Sequence, residues 1–170
     1  MLNKIIGLKN RIKKIIYKRN VIRICAGYKE PLRINGKTTV NRNTIFGQNV
    51  NINGLIIKGL GQVKIGDNFH SGQECLILTD NHKYDFGDAI PYDSKVSISK
   101  PVIIEDNVWL GDRVIILAGV TIGEGAIIQA GSVVTHSISA YEIAGGHPAQ
   151  VFKKRDIEHY KKLKAQGKFH

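Results

Sequence analysis

Cysteine is nearly absent: Cys25 and Cys75 stand far apart, and neither belongs to a Cys-x-x-Cys or Cys/His cluster. That argues against a disulfide framework or a cysteine-based zinc site and points to free thiols in a reducing compartment. Aromatic residues are 7% of the 170 positions while 42% are hydrophobic, so the core must be aliphatic. Acidic residues are missing from the N-terminal arm, where nine Lys and Arg precede the first of them, Glu30. Long apolar runs are missing too, because Lys and Arg interrupt Ile5, Ile6, Leu8, Ile12, Ile15 and Ile16 every few positions. Neither a signal peptide nor a membrane span is expected. The net charge of +11 is concentrated at the two ends, with a balanced middle, which disfavours a nucleic-acid-binding fold.

What the chain does have is a six-residue repeat. Ile104, Leu110, Ile116, Ile122, Ile128 and Val134 recur without a gap, and a second register of small or β-branched residues follows at Val108, Val114, Val120, Ala126, Ser132 and Ile138. A period of six fits strand alternation and not a 3.6-residue helix, and Gly111, Gly119, Gly123, Gly125 and Gly131 would weaken a helix. Each hexad then forms one side of a triangular coil, and both registers are buried in stacked columns. The register also appears at Ile34, Val40, Phe46 and Ile52, slips by one near Gly54 to Gly61, and resumes at Ile65 and Ile77. Residues 79–100 break it with Asp, Asn, His, Tyr, Pro and Ser, and so leave the coil as an excursion. A purely architectural rod is the bland alternative, but a rod needs no such interruption.

One histidine lies in the excursion, His82 in Thr79-Asp80-Asn81-His82-Lys83-Tyr84-Asp85. Imidazole titrates near neutrality, so a positioned His can take the proton of an attacking hydroxyl. The second ring nitrogen needs a partner, for which Asp80 and Asp85 are near enough in sequence.

The segments Pro101 to Gly111, Gly119-Val120-Thr121-Ile122-Gly123, Gly131-Ser132-Val133-Val134-Thr135 and Ala144-Gly145-Gly146-His147-Pro148-Ala149 resemble the hexapeptide-repeat acyltransferases, in particular galactoside, maltose and exopolysaccharide O-acetyltransferases. The resemblance covers about Ile34 to Arg155. It implies an all-β, left-handed parallel β-helix assembled as a trimer with active sites between subunits. It also implies acetyl-CoA as co-substrate and His82 with Asn81 in the catalytic loop. By the same resemblance, Trp109 walls the acyl pocket and the backbone N–H groups around Gly111 and Asp112 face the carbonyl. Ala130 and Thr135 touch CoA through main-chain groups, and Lys153 meets its phosphates. Asn53, Tyr84 and Asp85 fall on the acceptor side, with the slip blurring the alignment at Asn53. Two departures stand out: Asp112 replaces a smaller residue, and His136 stands where some relatives carry Lys. No His-x4-His pair exists to support the zinc site of β-helical carbonic anhydrases, and no metal is expected.

The domains expected are a basic amphipathic helix over 1–24, a β-helix over 32–150 with its excursion at 79–100, and a C-terminal helical cap over 151–170. In the first helix Ile5, Leu8, Ile12, Ile15 and Ile22 follow the 3/4 spacing. That helix packs on the trimer or covers the open coil, or it contacts an anionic membrane or a lipid-linked glycan. The expected function is cytoplasmic O-acetylation of a saccharide hydroxyl, in capsule, exopolysaccharide or lipopolysaccharide biosynthesis. The alternatives are a xenobiotic or amino-sugar acetyltransferase of the same fold and a non-catalytic solenoid scaffold.

Overall fold

The computed structural model describes the backbone of residues 2–170 and the side chains of residues 6–170. The side chains of Lys4 and Ile5 therefore lie outside the described residues. A helix, α1 (Leu2–Ile24), precedes about six coils of a parallel β-solenoid. The first coil holds β1 (Gly27–Tyr28), β2 (Leu32–Ile34) and a bridge at Thr39. The second holds β3 (Thr44–Phe46), β4 (Val50–Ile52) and β5 (Leu55–Lys58), and the third β6 (Val63–Ile65), β7 (His70–Ser71) and β8 (Cys75–Leu78). A hairpin of β9 (Asp80–Lys83) and β10 (Asp93–Ser99) intervenes. Then come β11 (Val102–Ile104), β12 (Trp109–Leu110) and β13 (Ile115–Ile116), followed by β14 (Thr121–Ile122), β15 (Ile127–Ile128) and β16 (Val133–Val134). The last coil has a bridge at Ile138 and β17 (Glu142–Gly146), after which β18 (Ala149–Lys154) turns back antiparallel and α2 (Ile157–Ala165) follows.

Three parallel sheets result. The first joins β1, β3, β6, β11 and β14; the second β2, β4, β7, β12, β15 and β17; the third β5, β8, β13 and β16. Registers such as Ile104↔Ile122, Leu110↔Ile128 and Ile116↔Val134 stack like on like, three hexads per coil. Both sequence registers point inward: Leu110, Ile116, Ile122 and Ile128 are fully buried, as are Val114, Ala126 and Ser132. Each such Ile or Leu contributes roughly 1.5–3 kcal/mol by leaving water. The hydroxyl of Ser132, an interior polar group, donates to the Gln129 carbonyl at 2.7 Å and accepts from the Gly146 N–H at 3.1 Å.

The slip lies where the spacing places it. Ile57 stacks on Ile77, and the surplus chain bulges at Gly59-Leu60-Gly61, where Leu60 is 68% exposed and Gly59 has φ of +93°. The coils begin slightly earlier than the sequence suggests, because Gly27 and Tyr28 pair with Ile45 and Phe46. They end differently as well: β18 pairs antiparallel with the open edge of β17 and carries Lys153 and Lys154 at its end, which disfavours further strand addition there.

Helix α2 does not plug the open end. It has no buried residue, with Ile157, Tyr160 and Leu163 only half-buried, and it returns along the outside of the corner between the first and second sheets. There the Tyr160 hydroxyl donates to Glu124 Oε1 at 2.9 Å, Lys164 ion-pairs with the same carboxylate, and Arg155 Nε donates to the Gly125 carbonyl at 2.6 Å. Partial burial alone would raise the Glu124 carboxyl, but bonds from Lys164 and Tyr160 hold it below the usual range. At the far end of the tail the His170 carbonyl accepts from Asn49 Nδ2 at 2.9 Å, three coils from Glu124.

Candidate active site

The excursion is more ordered than a polar loop. Asp93, almost fully buried, accepts the N–H groups of Lys95 at 2.9 Å and Asp88 at 3.3 Å and so fixes the hairpin's inner turn. That places Tyr92 under His82, the rings stacked at 4.1 Å between centroids and 14° between planes. The stack sets the plane of an exposed imidazole while leaving its edge open. Neither ring nitrogen of His82 has a hydrogen-bond partner among the described residues; Asn81 Oδ1 accepts instead from the His82 backbone N–H at 2.9 Å. Asp85 is exposed, and Tyr84 is 63% exposed.

Asp80 makes no bond to this imidazole. Its carboxylate accepts the N–H groups of Leu60 at 2.9 Å and Gly61 at 3.2 Å, and the hydroxyls of Thr79 at 3.2 Å and Ser99. Burial pushes its pKa up, but these four donors outweigh that and leave it lowered. Asp80 thus ties the hairpin's root to the glycine bulge of the preceding coil.

The hairpin leaves at the corner between the third and first sheets, the corner opposite the second sheet. On the second sheet's outer face lies a groove of about 650 Å³ lined by His70, Trp109, Ile143, Lys153, Tyr160 and Phe169 among others. Trp109 is 51% exposed and pairs in register with His70. Asn53, one turn earlier, holds its amide 3.2 Å from His70 Nε2 and donates to the Ser71 carbonyl at 2.8 Å. His70 Nδ1 is buried without a partner, and the His170 ring lies 5.5 Å away. Burial first, and His170 second, lower the His70 pKa, which favours the neutral ring. The sequence reading passed over His70, although writing the coils in register places it beside Trp109.

At the corner between the second and third sheets the turns are joined by a ladder of side-chain acceptors, in which Asp112 Oδ1 takes the N–H of Gln73 at 2.7 Å. The next rung would fall to residue 130, but Ala130 has only a methyl group. The Asp112 N–H is therefore left without a partner among the described residues, while its carbonyl accepts from Gly131 at 2.8 Å. Gly111 is required beside it, since a Cβ there would sit 2.4 Å from the Ala130 nitrogen. Thr135 lies at the hairpin's own corner, its hydroxyl 2.9 Å from His136 Nδ1.

The structure thus brings together Asn53, Trp109 and Lys153 on one face and Gly111, Asp112 and Ala130 on the adjoining corner. It leaves His82, Asn81, Tyr84 and Asp85 on the opposite side, within one chain. Among the described residues no group of His, Cys, Asp and Glu has the geometry to hold a metal ion.

Known proteins share this fold. The family described as bacterial transferase hexapeptide, six repeats, matches residues 101–136. The putative lipopolysaccharide biosynthesis O-acetyl transferase WbbJ of Escherichia coli is 33% identical over 120 residues, 66% of this chain and 61% of its own. The crystal structure of a maltose O-acetyltransferase from Clostridium difficile 630 is 33% identical, with a TM-score of 0.62 over 76% of this chain and 66% of that one. A galactoside acetyltransferase solved in complex with coenzyme A is 25% identical, with a TM-score of 0.56 over 80% and 63% of the two chains. The chain spans 41% to 61% of the length of the curated relatives it matches. With its coils, its six-residue registers and these likenesses in agreement, the chain belongs to the bacterial transferase hexapeptide-repeat family.

Proposed function

We propose that the protein is an acetyl-CoA-dependent O-acetyltransferase of saccharide hydroxyls, working in the cytoplasm on a precursor of a surface polysaccharide. The observation that carries this reading is the division of the site. An open imidazole stands on a rigid hairpin, while an unpartnered N–H and a Trp-lined basic groove stand on other faces of the same solenoid. Such parts complete one another where chains meet, as in a trimer that sets the hairpin of one subunit against the coils of the next. The outer column of the third sheet, Ile56, Leu76, Ile115 and Val133, supports such a contact, being aliphatic along its whole length.

In this reading His82 takes the proton of the acceptor hydroxyl as its oxygen attacks the acetyl carbonyl. The Asp112 N–H donates to the oxyanion that forms, the carbon–sulfur bond breaks, and the imidazolium returns the proton to the departing thiolate. Asn53 and His70 line the acceptor side of the groove, and Lys153 faces the CoA phosphates. Tyr84 and Asp85, on the exposed hairpin, reach the same space from the neighbouring subunit, and main-chain groups of Ala130 and Thr135 line the path of CoA.

The test is thiol release from acetyl-CoA with a panel of saccharides. His82→Ala is expected to lose about 10²–10⁴-fold in kcat, the usual worth of a positioned general base. Mixing His82→Ala with Trp109→Ala chains before assembly should restore part of the activity, since some sites then regain both groups. Full activity in His82→Ala would remove it as the base, and failure of mixing to restore turnover in assembled material would place the whole site within one chain.

A further inference from the structure

Helix α1 packs on the coils only through its C-terminal end. Val21 is buried, and Tyr17 and Ile22 are half-buried, against the solenoid core. Leu8, Ile12, Ile15 and Ile16, spaced as one helix face, are 60%, 48%, 54% and 48% exposed. Ile15 stands seven residues before the half-buried Ile22, so this stripe continues the face that meets the coils, and it is exposed because residues 6–16 run beyond them.

The surroundings of the exposed stripe are all of one charge. Lys9, Arg11, Lys13 and Lys14 stand around it, and Arg19 and Arg23 continue along its own side toward the solenoid. Of the seven Lys and Arg of α1 whose side chains are described, only Lys18 is ion-paired, to Glu30 at 2.8 Å. A second copy of α1 would bring cations against cations. An anionic bilayer supplies what the helix lacks, an apolar layer for the aliphatic stripe and phosphates for the cations. The helix is not long and apolar enough to cross a membrane.

We infer that α1 docks the protein on an anionic phospholipid surface, lying in the interface with Leu8, Ile12 and Ile15 toward the acyl chains and Arg19 and Arg23 at the head groups. This inference stands apart from the acetyl-transfer reading. The coils hang from the C-terminal end of the helix, so the solenoid is held close to the bilayer.

The experiment floats the full chain on vesicles of phosphatidylcholine, with and without phosphatidylglycerol, and compares L8Q/I12Q/I15Q and K9Q/K13Q/K14Q variants. Gel filtration and thermal unfolding follow each sample. Wild type is expected to rise only with the anionic vesicles and to be released by salt. The apolar triple variant should lose about a hundredfold in partitioning at unchanged elution and Tm, and each removed cation about fivefold. Should the triple variant unfold, Ile12→Gln alone carries the test with about a fivefold loss. The inference is overturned if wild type ignores anionic vesicles, or if the apolar variants float as wild type does. Elution of the triple variant as a smaller assembly would also overturn it, because a second copy would then cover the stripe.

Discussion

Replacing Asp80 by alanine separates two roles that the sequence alone could not tell apart, orienting His82 or anchoring the hairpin. The carboxylate accepts two backbone N–H groups of the glycine bulge and two hydroxyls, and none of these bonds reaches the imidazole. A hydrogen bond to a charged acceptor is worth roughly 1.5–3 kcal/mol when both groups are shielded, and less where water can replace it. The Leu60 and Ser99 bonds are exposed and the Gly61 and Thr79 bonds partly buried, so Asp80→Ala should cost about 2–3 kcal/mol at neutral pH. The cost has a definite pH dependence. The carboxyl pKa is lowered in the folded state, so its contribution is present above the unfolded value, about 4, and is lost as pH falls through the folded value. Urea denaturation of wild type and Asp80→Ala at neutral and acidic pH reads this directly, as midpoints that differ at neutral pH and converge in acid. The reasoning is refuted if the two proteins are equally stable at neutral pH, or if their gap stays the same in acid. It is refuted as well if kcat falls with a shifted pH–rate profile at unchanged stability, since that outcome would make Asp80 the partner of His82.

Other substitutions probe the scaffold. Gly111→Ala puts a methyl 2.4 Å from the Ala130 nitrogen, where only backbone can move, so it should destabilise by about 2–3 kcal/mol and reduce acetyl transfer by displacing the neighbouring Asp112 N–H; thermal melts and the thiol-release assay check both. Leu110→Ala empties a fully buried position between Ser71 and Ile128 and should cost about 2–5 kcal/mol in denaturant unfolding. Tyr160→Phe removes the 2.9 Å bond to Glu124 and should loosen α2, at about 1 kcal/mol, seen as faster amide exchange over 157–165 with little change in the coils.

Much of the architecture is legible in the residues themselves because a solenoid repeats one local decision. An inward aliphatic every sixth position states the coil length, the strand direction and the core together, and Leu110, Ile116 and Ile122 are buried as that spacing demands. The slip at Gly54 to Gly61 and the departure of the chain after Thr79 are equally local, since a broken period has nowhere else to go. The candidate site is less legible, because its parts depend on which residues stack across coils. Trp109 sits beside His70 through a register that joins positions far apart in sequence. The Asp112 N–H is left open by what residue 130 lacks, one coil later. Asp80, one residue from Asn81 and two from His82, bonds instead to the glycine bulge, whose N–H groups come beside it only when one coil stacks on the next.

By itself the sequence determined the solenoid, its excursion and the helical N-terminal arm, since each follows from the periodicity of apolar residues along a short stretch. Only the tertiary structure decided that His82 rests on Tyr92, that α2 runs back along the coils, and that residues 6–16 of α1 stand clear of them. Those outcomes depend on how elements distant in sequence are set against one another, and no local pattern carries that information.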